Sequence, residues 1–399
     1  MTDWIAEERT YLFQNYGRQP VVLVRGEGTR AWDDQGKEYL DLVGGIAVNV
    51  LGHASPVVVE AITEQARTLI HTSNLFYTTP MIQLAKLLVE HSCLDRVFFC
   101  NSGTEAVEAA VKLARRWGHD TMDGAYEIIA TVDSFHGRTM GALAATGNQR
   151  YREPFEPLAP GFVHVPWDDI DAIRQATHRN TVAVLVEPIQ GEGGVNMPSP
   201  GYLQAIRDWC NERGLLLIFD EVQTGIGRTG SLFAYEQEGV EPDIMCLAKG
   251  LGGGLPIGAI LARDAIAAHF VPGDHGSTFG ANPLAASAGV AVVSHILDAG
   301  LLDRCRQASE RFFERLRSLE DRMPEVTGVR GRGLLLAVSL SRDVSADVVA
   351  AARERGLLVN NVRPNAVRLM PPLNISDDEI DRACDILEAA ITAVAPAAK

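Results

Sequence analysis

A chain of 399 residues has material for two or three domains of the usual ~100–200 residues. Hydrophobic residues at 46% and charged residues at 22% are the proportions of a soluble globular protein with ample apolar material for a core. The formal net charge of −15, from 36 basic and 51 acidic residues, argues against a dedicated nucleic-acid binder, although a local basic pocket for anions remains open.

At the start, Met1–Arg9 carries Asp3, Glu7 and Glu8 where a signal peptide would have a basic region and an apolar stretch. No apolar run approaches the roughly 20 residues that span a bilayer, so no membrane partner is expected. A hairpin is expected over Val21–Tyr39, turning at Asp33–Gly36. Short apolar runs then alternate with helical patterns, as in an α/β protein with a mostly parallel sheet. The expected strands are Val97–Cys100, Glu127–Thr131, Val182–Val186, Leu215–Phe219, Ile244–Leu247 and Ile257–Leu261. Several are continuous in Val, Ile, Leu and Phe, which suits strands covered on both faces. Helices are expected at Thr104–Trp117 and at Gly201–Arg213, the second stopped by Gly214. Beyond about residue 285 come two long helices, Pro283–Ala299 and Leu302–Leu319. A β segment at Gly328–Ser341, a helix near Ala346–Arg355, another β segment and a last helix from Ser376 complete a smaller α+β unit. The six cysteines are scattered without CxxC spacing; they read as buried thiols of a reducing compartment, with cytoplasm the expected location and no metal site.

In parallel α/β sheets, ligands bind outside the carboxyl ends of the strands. Five strands in turn end in charged or small polar residues. Ser102, Gly103 and Thr104 open a helix, where orphan N–H groups favour a phosphate; Ser102 with Glu105 also fits a plain capping box. Asp220 follows Leu-Leu-Leu-Ile-Phe and is either a loop acid or an anion that holds a proton on a ring nitrogen. Glu221 should point the other way. Lys249 is either a lysine snorkelling from a strand end or a desolvated amine able to form an imine with a carbonyl. The run Gly250, Gly252, Gly253, Gly254 is no dinucleotide fingerprint, because strand, not helix, follows it. Arg138 and Arg368 could each fork onto a carboxylate. His136 and His53 read as hydrogen-bonded structural histidines.

Together these residues resemble the class III (ω-amino-acid) aminotransferases of the fold-type I pyridoxal-phosphate enzymes. The pieces that carry the resemblance are Asn101-Ser102-Gly103-Thr104-Glu105-Ala106, Phe135-His136-Gly137-Arg138-Thr139, Glu187-Pro188-Ile189-Gln190-Gly191-Glu192, Asp220-Glu221-Val222-Gln223-Thr224-Gly225 through Gly230, and Ala248-Lys249-Gly250. It runs over roughly Arg18 to Ile391. Within the class, Gly44–Asn49, Ser73–Tyr77 and Arg368–Asn374 are most similar to the members acting on N-acetylornithine.

The resemblance implies a large, mostly parallel sheet domain with helices on both faces plus a smaller α+β domain. Residues 1–45 would join the small domain, 46–287 would bind the cofactor, and 288–399 would form the small domain. Lys249 would carry pyridoxal 5′-phosphate as a Schiff base and Asp220 would pair with its pyridine nitrogen. Phe135 would stack on the ring, Val222 would pack under it, and Gln223 would lie near the phenolic oxygen. Ser102, Gly103 and Thr104 would hold the phosphate. Thr278 would reach the phosphate of a second subunit, which implies a homodimer, with Ser277 beside the substrate. Arg138 would bind the carboxylate of the acylated substrate and Arg368 the α-carboxylate of glutamate or 2-oxoglutarate. Glu192 would pair with Arg368 when no α-carboxylate is present, avoiding an unmatched buried charge. Gly45 would leave room for an N-acyl chain. The implied activity is ping-pong transfer of the δ-amino group of N2-acetylornithine to 2-oxoglutarate, in arginine biosynthesis. Ornithine, succinylornithine and 4-aminobutyrate remain alternative donors, and a non-catalytic ligand-binding protein on the same fold is the rival from another class.

Overall fold

The computed structural model describes residues 2–395. Residue 1 and residues 396–399, the outer ends of the first and last expected domains, lie outside the described residues.

Thr181–Val186 and Leu216–Asp220 are buried at every position, so both faces of the sheet they centre must be covered. The seven-stranded sheet runs Arg96–Cys100, Gly258–Ala262, Ile244–Leu247, Leu216–Asp220, Thr181–Val186, Glu127–Thr131, Phe162–Val165. The last five are mutually parallel. Gly258–Ala262 runs antiparallel to both its neighbours. Alternate side chains divide between two cores: Val184, Leu217, Phe219, Met245 and Leu247 on one face, Leu185, Leu216, Ile218, Ile244 and Cys246 on the other. Helix Gly103–Thr121 lays Ala106, Val107, Ala110, Leu113 and Ala114 against the second. Gly118 in this helix is needed for close approach, since a Cβ there would stand 2.1 Å from the carbonyl oxygen of Ala125. Helix Tyr202–Arg213 covers the first face with Leu203, Ile206 and Cys210, and ends at Gly214, which is left-handed (φ 66°).

The expected strands are all present to within a residue. One was not expected: Phe162–Val165, an edge strand of four residues carrying His164, too short and too polar to register as an apolar run. Where one hairpin is expected near the start, three strands form a meander: Leu23–Glu27, Arg30–Asp33 and Glu38–Asp41. The turn at Asp33–Gly36 is there, held by the Asp33 carboxylate accepting from Gln35 N (3.0 Å) and Lys37 N (2.9 Å). A second, tighter turn at Gly28 divides the segment again.

The last strand of the meander pairs in parallel with Leu357–Leu358, tying the start of the chain to its end. Beside it an antiparallel sheet runs Val326–Arg332, Leu335–Leu340, Ala366–Leu369, Asn360–Arg363. Helices Leu301–Arg322 and Ser345–Glu354 pack with it, and Asp377–Val394 packs on both of these helices. The last opens on a full capping box between Ser376 and Glu379. Among the described residues no single helix is long and apolar enough to cross a membrane, and no group of three or more His, Cys, Asp or Glu could hold a metal.

Candidate active site

The carboxyl ends of the parallel strands open into a cavity of about 420 Å³. Its wall includes Lys249 and Asp220 together, with Ser102, Gly103, Thr104, Phe135, Arg138, Glu192, Val222 and Gln223. That volume lies within the usual range for a small-molecule site.

Asp220 and Lys249 meet here because their strands are adjacent and parallel. Asp220 pairs in register with Cys246, and Lys249 stands three residues further along that neighbour. Lys249 has φ 41°, a left-handed conformation that costs a lysine roughly 1–3 kcal/mol. A 3₁₀ turn over Lys249–Gly252 imposes it, with Leu251 N donating to Ala248 O (2.9 Å). The chain thereby turns out of the strand at the lysine, and the half-buried side chain lies on the cavity wall instead of snorkelling to open surface. Burial pushes its amine below the ordinary 10.5; Glu192, Asp220 and Glu187 oppose that, while Arg368 adds to it.

Asp220 is 4% exposed. One oxygen accepts from Val222 N (3.0 Å) and the other faces His136 Nδ1 (2.7 Å). His136 is therefore a hydrogen-bonded histidine, as expected, but its partner is the site acid. Its Nε2 is buried with no hydrogen-bond partner among the described residues. His53 pairs with Asp41 (2.7 Å), outside the cavity.

Ser102 caps helix Gly103–Thr121, its hydroxyl accepting from Glu105 N (3.3 Å) and donating to the Glu105 carboxylate (2.8 Å). The full capping box is not formed, since the Glu105 carboxylate accepts from Asn101 N (2.9 Å) and not from Ser102 N; the cap nonetheless lies on the cavity wall, and the Gly103 and Thr104 amides, which have no intrahelical partners, remain for an anion. Gly103 packs so closely that a Cβ would stand 2.7 Å from Val222 Cγ1. The Thr104 hydroxyl is committed elsewhere. It accepts from Arg138 N and Thr139 N, both at 3.2 Å, so what Thr104 offers an anion is its amide.

Arg138 is exposed at the rim, its guanidinium 3.9 Å from the Tyr151 ring centre and 5.4 Å from that of Phe135. Among the described residues it has no carboxylate partner. Arg368 is the opposite: fully buried, with Nη1 donating to Glu192 Oε1 (2.6 Å) and Gln223 Oε1 (3.1 Å). Arg368, then Lys249, hold the Glu192 carboxyl below its ordinary 4.5 against the upward push of burial. Ser277 and Thr278 do not line this cavity. The Ser277 hydroxyl accepts from Asn101 Nδ2 (3.1 Å) and Thr278 is exposed. Gly45 is also off the wall, where Val48 stands instead. Gly44, Gly45, Ile46 and Ala47 form a left-handed turn, with φ of 55°, 65°, 62° and 64°. Such a turn costs ordinary residues roughly 1–2 kcal/mol each, so glycine at 45 has a backbone reason independent of any substrate.

Sequence reasoning overlooked Glu187 as a wall residue. It is buried, and its carboxylate accepts from Phe135 N and Gly191 N, both at 3.0 Å, joining two cavity loops. The signal was available, since Glu187 ends an all-apolar strand just as Asp220 does.

Glu221 turns away from the cavity. It is fully buried and accepts from Ala234 N (2.6 Å), Tyr235 N (2.8 Å) and the Thr224 hydroxyl (3.2 Å). Burial raises its carboxyl from 4.5 to about 7 against those hydrogen bonds, and burial likewise raises Glu187 to about 7. Between these values the folded chain keeps a proton that the unfolded chain has released, so stability falls as pH rises through this window. Glu221→Gln is expected to remove about half of that fall, seen in urea midpoints at about pH 5 and about pH 7.5. An unchanged pH slope would refute the assignment.

Taken as a donor set, a lysine amine, a buried acid, a helix N-terminus and two apolar walls suit a planar phosphorylated heterocycle bearing an aldehyde. Pyridoxal 5′-phosphate has these parts, and the residues fit it.

Residues 11–391 match the family model for class-III aminotransferases. The chain is 52% identical over 386 residues to an acetylornithine aminotransferase of Methanopyrus kandleri, covering 96% of this chain and 97% of the relative. It is 49% identical over 385 residues to that of Caldanaerobacter subterraneus subsp. tengcongensis, covering 96% and 98%. Among solved structures, an ornithine aminotransferase from Toxoplasma gondii ME49 superposes with TM-score 0.95 at 38% identity, covering 98% of this chain and 95% of that one. An acetylornithine aminotransferase from Elizabethkingia anophelis gives 0.87 at 36%, covering 98% of each.

Proposed function

This chain belongs to the class-III aminotransferases, and from that premise we propose that it moves the δ-amino group of N2-acetylornithine to 2-oxoglutarate, yielding N-acetylglutamate 5-semialdehyde and glutamate in arginine biosynthesis. Near-full-length similarity to acetylornithine aminotransferases supports the substrate. The observation that carries the reading is the pairing of buried Arg368 with half-buried Glu192 beside a cavity that holds both Lys249 and Asp220.

The enzyme is pyridoxal-phosphate-dependent. When bound, the cofactor supplies an aldehyde carbon that receives the amino group and a ring that takes up electrons from the substrate carbon. The chain's own residues do the rest. The first amides of helix Gly103–Thr121, reached through Ser102, Gly103 and Thr104, hold the phosphate. Phe135 and Val222 would confine the ring, and Gln223 would stand near its phenolic oxygen. Asp220, itself oriented by His136, keeps a proton on the ring nitrogen. Lys249 would hold the aldehyde carbon, and its amine, when free, would take a proton from the substrate carbon and deliver it to the carbon that receives the amino group; burial lowers its affinity for that proton toward the working range.

Arg138, with no competing carboxylate among the described residues, binds that of the acylated substrate at the rim. Arg368 binds the α-carboxylate of glutamate or 2-oxoglutarate when Glu192 swings aside. With the δ-amine in place, Glu192 stays on Arg368 and no buried charge is left unmatched. One pocket then serves both halves of a ping-pong cycle. We take the working unit to be a cytoplasmic homodimer in which Thr278, exposed and outside its own cavity, serves the partner's phosphate, with Ser277 placed near substrate there.

A panel of amines offered with 2-oxoglutarate tests the substrate. N-acetylornithine is expected to give the highest kcat/KM, above succinylornithine, ornithine and 4-aminobutyrate. Free ornithine clearly ahead of its acetylated form would defeat the assignment while leaving the aminotransferase chemistry intact.

A further inference from the structure

Arg228 is 1% exposed, one of the largest fully buried side chains, yet among the described residues it has no carboxylate partner. Its Nη1 donates to two backbone carbonyls, Leu334 O (3.0 Å) and Pro371 O (2.5 Å), while Nε and Nη2 have no partner. Burying a guanidinium without a counter-charge is expensive, and an apolar side chain would fill the same space at lower cost. What an apolar side chain cannot do is hold those two carbonyls together.

The carbonyls are notable for what adjoins them. Pro371 lies three residues past Arg368, just beyond strand Ala366–Leu369. Leu334 immediately precedes strand Leu335–Leu340, whose Ala337 is the register partner of Arg368. The Arg228 backbone adds a third tie, its carbonyl accepting from Leu334 N (2.9 Å). Arg228 itself stands on the loop that begins at Asp220 and carries Val222 and Gln223. That loop therefore meets the Arg368 strand twice: in the cavity through Gln223 Oε1 and Arg368 Nη1 (3.1 Å), and behind it through Arg228 and Pro371. The rest of the segment is pinned by Met370 N to Leu42 O (2.7 Å) and Leu373 N to Val50 O (2.8 Å). Among the described residues, its side-chain hydrogen bonds to the loop carrying the site acid are those of Arg368 with Gln223 in the cavity and of Arg228 with Pro371 behind it.

We infer that Arg228 is a positioning residue: by clamping Leu334 and Pro371 it sets where the Arg368 guanidinium stands relative to Gln223 and Glu192, and so governs the glutamate half-reaction without touching substrate. This rests on the reading of Arg368 as the α-carboxylate receptor.

The two half-reactions can be followed separately in purified holoenzyme through the cofactor's visible absorption. Arg228→Met is expected to raise the half-saturating concentration of glutamate about tenfold, within the range for groups coupled in one network, and to leave that of the amine donor within about twofold. In an Arg368→Ala background the same change should have little further effect on glutamate, although its cost in thermal stability should persist. Equal damage to both half-reactions, or an undiminished glutamate effect without Arg368, would overturn the proposal. Should the methionine variant not accumulate as folded protein, Arg228→Gln, which keeps a donor for one carbonyl, is read by the same two comparisons. The amine arm uses whichever donor of the panel the wild type accepts. A wild type that responds to glutamate but not to N-acetylornithine thus defeats the substrate assignment and leaves the role of Arg228 separately measurable.

Discussion

Lys249→Ala is expected to abolish steady-state turnover and, with it, the visible absorption of the lysine-linked cofactor. Loss of proton transfer alone removes up to about 10⁴-fold in rate, and the covalent anchor is lost as well. The substitution keeps the Cβ and hence the left-handed backbone strain at φ 41°, so the turn has no new reason to rearrange. Removing a desolvated amine also relieves a burial penalty, so thermal stability in the absence of cofactor should hold or rise slightly. A folded, inactive, colourless protein is the expected result. Retention of both turnover and absorption would overturn the lysine assignment.

Asp220→Asn should behave differently. Asparagine keeps the shape and can still accept from Val222 N and meet His136, but it carries no charge to hold a proton on a ring nitrogen. The lysine-linked absorption should therefore survive while kcat falls by about 10²–10³, the scale of losing one fixed electrostatic group in a water-poor site. KM should change much less, because the interaction acts where electrons accumulate and not in substrate binding. A variant within a few-fold of wild type would show that Asp220 is only a loop brace. The paired outcomes, colour lost with Lys249 and kept with Asp220, separate anchoring from electronic control.

Much of this molecule is legible from local pattern. Continuous apolar runs such as Leu-Leu-Leu-Ile-Phe announce buried parallel strands, and the one or two residues after each strand lead to Asp220 and Lys249 without coordinates. Gly214 marks a helix end because left-handed backbone is cheap only for glycine. Phe162–Val165 escaped because an edge strand has too little buried surface to impose a pattern. Glu187 is less legible because its carboxylate braces two loops through Phe135 N and Gly191 N, contacts between segments far apart in the chain. The Gly44–Ala47 turn was open to misreading because a glycine kept for its backbone looks, in sequence, like one kept for space.

The order of the elements, the sheet class and the chemical identity of the groups at the strand ends can all be read from the residues alone. These follow from short-range hydrophobic periodicity and from which residues tolerate which backbone. Which of those groups meet emerges with the folded chain: Glu192 on Arg368, His136 on Asp220, Arg228 across Leu334 and Pro371. Such pairings join residues far apart in the chain, and they are set by strand order and by the demand that buried polar groups find partners, neither of which leaves a periodic trace.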